Sequence, residues 1–127
     1  MNVEESLARY AELIVVHGLN VQSDQLVNIS TEVAHRDFAV LVAEQCYKHG
    51  AKHVNLELSD PRMLKIRIAE ASEESLDYVS QSVVQQYDEM VDEQGANLKL
   101  IGMEDPDVYQ DVDSSKLNSV QQCRMLA

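Results

Sequence analysis

Residues 26–59 read LVNISTEVAHRDFAVLVAEQCYKHGAKHVNLELS, and this stretch decides the fold. Leu26 to Ser30 is a short apolar run preceded by the turn-forming residues Ser23 and Asp24, which predicts a buried strand. From about Glu32 to His49, Ala34, Phe38, Leu41, Val42 and Cys46 recur at helical spacing, and Gly50 follows as a stop signal. His53 to Ser59 then alternates Val54, Leu56 and Leu58 with Asn55, Glu57 and Ser59, the period of two of a strand with one face better buried. Strands separated by a helical crossover run parallel, since an antiparallel return needs only a short turn.

The same reading extends outward in both directions. Val3, Leu7, Tyr10 and Ile14 mark an amphipathic helix, with Asn2 as N-cap and Glu5 in the capping-box position. That helix is expected to stop at Gly18, with His17 in its last turn, where a positive imidazole suits the helix dipole. After His53 to Ser59, Asp60 and Pro61 begin a new helix as N-cap and first residue. From Ser72 an acidic stretch carries Leu76, Val79, Val83, Tyr87 and Met90 to a stop at Gly95, with a break near Ser80. Asn97 to Gly102 reads as a third strand, the segment EDPDVYQDVD as a loop, and Asp113 as the N-cap of a final helix through Leu117, Val120 and Met125.

The order predicts an α/β fold: a small parallel sheet of about three or more strands with helices on both faces, a Rossmann-like three-layer sandwich. With 127 residues and 45% hydrophobic content, residues 1–127 fit a single domain with an ordinary core. No run approaches the roughly 18 to 20 apolar residues of a membrane span, and the acidic, amphipathic start MNVEESLARY is unlike a signal peptide, so a cytoplasmic setting without membrane contact is expected. The net charge of -12 argues against nucleic acid as a partner, because phosphate binding needs clustered Lys and Arg. Acid is concentrated late: residues 71–127 carry 12 acidic and 3 basic side chains, against 10 and 7 in residues 1–70. A solvated surface explains that asymmetry more simply than a site does.

The chemistry-bearing residues do not assemble into a motif. STEVAHRD after the first strand lacks the glycines of a phosphate loop, leaving only the bare helix N-terminus for a small anion. His49 and His53 are four apart, but Gly50 separates a helix end from a strand start, so their spacing has no ligand geometry. His17 is isolated, and His35 beside Arg36 is expected to be exposed. Cys46 and Cys123 have no partner at metal-ligand spacing. Glu104, Asp105, Asp107, Asp111 and Asp113 offer hard-cation ligands, yet counting from Asp105 puts Gln110 and Lys116 where a calcium loop needs Gly and Glu. Ser30 has no base at a recognisable spacing, and neither HExxH nor GxSxG occurs. No catalytic, cofactor-binding or metal residue is therefore assigned.

Some segments nevertheless carry a resemblance. LARYAELIVVHGLNVQSDQLVNIS, LVAEQCYKHGAKHVNLELSD, AEASEESL and EDPDVYQDVD resemble the N-terminal domain of the thermophilic metalloaminopeptidase family, the bacterial aminopeptidase T, S and II type. The order and spacing of Gly18-Leu19-Asn20-Val21-Gln22, Gly50-Ala51-Lys52-His53-Val54 and Glu104-Asp105-Pro106-Asp107 carry it almost end to end. Ser23-Asp24 departs from the Pro-Gly-like turn common in that family, a change of turn chemistry with little bearing on activity.

The resemblance implies a parent enzyme that uses two divalent metal ions, zinc, cobalt or similar, to hydrolyse N-terminal residues from peptides as a homodimer. It also implies that metal ligands and general acid/base residues lie in a later portion, so that no position here inherits a catalytic role and these residues alone are inactive, binding no metal. The expected role is structural: walling the substrate cavity and making domain and dimer contacts. The alternative is a stand-alone interaction or small-ligand-binding α/β domain without catalytic activity.

Overall fold

The computed structural model describes residues 2–101, which form two compact units: residues up to Ser59 together with residues 90–101, and residues 60–89. The fold is α/β, with a parallel three-stranded sheet in the first unit.

The first unit begins with α1 (Val3–Leu13), where the Asn2 side chain accepts a hydrogen bond from the Glu5 amide at 2.8 Å, filling the capping role the sequence assigns to it. The helix does not stop at Gly18. It widens into a π-helical segment, Ile14–Leu19, and the left-handed residue that ends it is Asn20, at φ 50°. Asparagine tolerates that conformation, and nothing lies within 4 Å of where a Gly18 Cβ would sit, so the glycine meets no steric demand.

β1 (Leu26–Glu32) runs two residues further than the sequence pattern indicates. A 3₁₀ turn, Val33–His35, leads into α2 (Arg36–Lys48), and β2 spans His53–Ser59 as expected. Gly50 is the stop after α2: its φ of +96° favours glycine, and a Cβ there would lie 3.3 Å from Ser23 Cα. β3 covers Ala96–Lys99. The strand order is β2-β1-β3, all parallel, with the earliest strand in the centre.

The core follows from alternation along β1. Val27, Ile29 and the hydroxyl-bearing Thr31 turn one face inward, and Val27 and Ile29 cluster with Ala11, Val15, Ala39, Val42 and Cys46 from the helical side. In register, Val54 and Ala96 flank Val27, and Leu56 and Leu98 flank Ile29, so two full cross-sheet rows are apolar. Each fully buried Val or Ile contributes about 1.5–3 kcal/mol, which makes this layer the dominant stabilising element of the unit.

In the second unit, Asp60 caps α3 (Pro61–Glu70) by accepting from the Arg62 amide at 3.0 Å, and Pro61 occupies the first helical position. The Arg62 guanidinium also grips the Asp60 carboxylate, holding it below the usual carboxylate range. A 3₁₀ turn follows at Glu73–Ser75. Its chain is tied to α3 by Arg67, whose Nη2 donates to the carbonyls of Ser75, Leu76 and Tyr78 at 3.2, 3.3 and 3.2 Å. Ile68 and Leu76 form the small core, with Leu64 and Ala71 against them. The break near Ser80 is present: its Oγ accepts from the Ser82 amide at 3.3 Å just before α4 (Gln81–Asp92).

α4 ends three residues before Gly95, and the left-handed position is Gln94, at φ 54°. Gly95 is needed for closeness instead, since a Cβ there would come within 2.5 Å of Met90 Cε and 3.1 Å of the Leu26 carbonyl oxygen. The expected loop EDPDVYQDVD over 104–113, the helix from Asp113 and Cys123 lie outside the described residues.

Candidate functional site

Open parallel sheets place ligands beyond the carboxyl ends of the strands, at the point where chain connections diverge to either side. Here that point flanks β1, whose chain continues to β2 on one side while β3 lies on the other. The polar groups at these ends fasten the strands to one another. Buried Thr31 donates from Oγ1 to the Leu100 carbonyl at 3.3 Å, and Ser59 Oγ donates to the Thr31 carbonyl at 3.3 Å. Glu32 closes β1, and His35 ends the short turn after it, half-buried where the sequence suggested exposure.

The second face of the sheet is polar. Asn55, Asn28 and Asn97 stand in one cross-strand row, and Glu57, Ser30 and Lys99 form the next. Asn55 Nδ2 donates to Asn28 Oδ1 at 2.7 Å, and Asn28 Nδ2 donates to Asn97 Oδ1 at 3.1 Å, so a directed chain of carboxamides crosses all three strands. A row of this kind pins register, because a slip by one residue would turn each amide into the apolar layer. Its sequence signal is a triplet repeated once per strand: Val27-Asn28-Ile29, Val54-Asn55-Leu56 and Ala96-Asn97-Leu98. Only the register reveals that the three asparagines meet.

The other singled-out residues stay apart. His49 caps the end of α2, His53 opens β2, and both are exposed, as is His17 in the π-helical segment. Arg9, Glu12, Leu13, Val16 and His17 line a shallow cleft of ≈ 190 Å³. That is well below the roughly 300–1,000 Å³ of small-molecule sites. Cys46 is fully buried, and burial pushes its thiol up to about 11, far from a reactive thiolate. Ser30 lies in the polar row beside Glu57 and Lys99. Among the described residues no three His, Cys, Asp or Glu side chains converge as a metal site would require, and no helix is long and apolar enough to cross a membrane. Glu104, Asp105, Asp107, Asp111 and Asp113 lie outside the described residues.

A parallel α/β sheet of this order, in a chain with these segments, defines a class. Residues 3–127 match the thermophilic metalloprotease family M29, and the chain belongs to that family. Among its relatives, aminopeptidase 2 of Geobacillus stearothermophilus is 31% identical over 114 residues, covering 90% of this chain and 27% of the relative. Aminopeptidase AmpS of Bacillus subtilis is 29% identical over 119 residues, covering 92% of this chain and 28% of the relative. The solved structure of wild-type AmpT from Thermus thermophilus superposes with a TM-score of 0.80 at 28% identity, over 96% of this chain and 30% of that one. The chain thus corresponds to the N-terminal part of these proteins and spans less than a third of their length.

Proposed function

We propose that this chain is the N-terminal, non-catalytic α/β portion of a metal-dependent aminopeptidase that removes N-terminal residues from peptides. The observation that carries the reading is the family match from residue 3 to residue 127, set against relatives named aminopeptidases that are more than three times as long. In this reading the portion is structural: it walls the substrate cavity, contacts the catalytic portion and contributes to a homodimer in the cytoplasm. Two divalent ions, zinc or cobalt, would supply hydrolysis by activating water. The described residues do not fit such a pair, because among them no three His, Cys, Asp or Glu side chains form a group that could hold a metal ion. No hydrolytic step is therefore assigned to them.

The test is turnover of aminoacyl p-nitroanilides by the 127-residue protein with added zinc or cobalt. The reading expects none above blank, and chelator-sensitive turnover would overturn it. The alternative, a self-standing interaction or ligand-binding domain, expects a monodisperse protein that ignores hydrophobic dyes. The exposed Met63, Ile66, Val84 and Tyr87 side chains favour the first reading over that one.

A further inference from the structure

We infer that Tyr47 guards an edge of the sheet: by holding the first outward-facing amide of β2, it bars a second copy of this chain from adding a strand there. β2 ends the sheet in the order β2-β1-β3, and among the described residues no strand lies beyond it. An edge strand presents unpaired N–H and C=O groups, a template on which another chain can pair. The two edges of this sheet meet that hazard differently. β3 is four residues long and carries Lys99, and a short edge with a lysine is a poor template. β2 is seven residues long, contains neither Pro nor Lys, and leaves Leu58 39% exposed.

The geometry around Tyr47 supplies what β2 lacks. Tyr47 lies in the last turn of α2, next to the fully buried Cys46, and its phenol oxygen accepts a hydrogen bond from the Val54 amide at 3.0 Å. Alternate residues of a parallel strand direct their N–H and C=O groups to opposite edges. The Val54 N–H, bonded to a side chain and not to β1, therefore points outward, and those of Leu56 and Leu58 point the same way. An incoming strand needs Val54 as the first of these outward donors. It would find the phenol oxygen already in the place its own carbonyl must take.

Hydrogen exchange and sedimentation test this in the 127-residue protein. Tyr47→Phe removes only the hydroxyl, so the Val54 amide should exchange about two- to tenfold faster while the Ile29 amide of the central strand is unchanged. Unchanged exchange at Val54, or equal acceleration at both amides, would overturn the inference. Tyr47→Ala should sediment as larger species than the unaltered protein at the same concentration. Adding Leu58→Pro, which deletes a second outward donor without removing a bond to β1, should restore the unaltered sedimentation. An unshifted Tyr47→Ala protein, or association that Leu58→Pro leaves in place, would overturn the inference.

Discussion

Replacing Asn28 by alanine removes the middle of the carboxamide row. Two hydrogen bonds disappear, the half-buried one from Asn55 Nδ2 at 2.7 Å and the exposed one to Asn97 Oδ1 at 3.1 Å. A typical intramolecular hydrogen bond contributes about 0.5–1.5 kcal/mol net, and the exposed one falls at the lower end because water replaces it readily. Asn28→Ala should therefore cost about 1–2 kcal/mol, measured by urea unfolding with an unchanged slope. A double-mutant cycle separates the partners. Asn28 with Asn55 should couple by about 0.5–1 kcal/mol, and Asn28 with Asn97 by less. Zero coupling to Asn55, or stronger coupling to Asn97, would refute the claim that the row fastens the central strand to its neighbours.

Three further outcomes follow from local geometry. Gly95→Ala should destabilise by about 1–3 kcal/mol in the same assay. Met90 can swing away but the Leu26 carbonyl is backbone, so a neutral result would show that the close approach is not a constraint. The depressed pKa of Asp60 makes its share of stability present above the ordinary aspartate pKa and lost as pH falls through the lower folded value. Asp60→Asn should flatten acid unfolding in that window, and an unchanged acid limb would contradict it. With its thiol pushed up to about 11, Cys46 should resist alkylation near neutral pH in the folded protein and react once urea unfolds it, as read by peptide mass spectrometry.

The parallel arrangement was legible because each step in residues 26–59 carries its own punctuation: Ser23 and Asp24 before β1, Gly50 after α2, strict alternation in β2, and Asp60-Pro61 at the start of α3. The position of β3 on the far side of β1 was not legible, since no residue type marks which edge a later strand joins. Glycine misled twice. Gly18 reads as a stop, yet the helix opens into a π-turn and ends at Asn20, and the turn after α4 falls on Gln94 while Gly95 serves close packing. The asparagine row escaped for a different reason. Each Val-Asn-Ile-like triplet reads simply as half-buried alternation, and only pairing register brings the three amides together. Gly50 does separate His49, at the end of α2, from His53, at the start of β2, as the sequence indicates.

The most direct test of the account is to sequence the source gene beyond the codon for Ala127. The account predicts an open frame that continues for several times the present length and carries clustered Glu, His and Asp codons. A stop codon immediately after Ala127 would contradict it and turn attention to a binding partner.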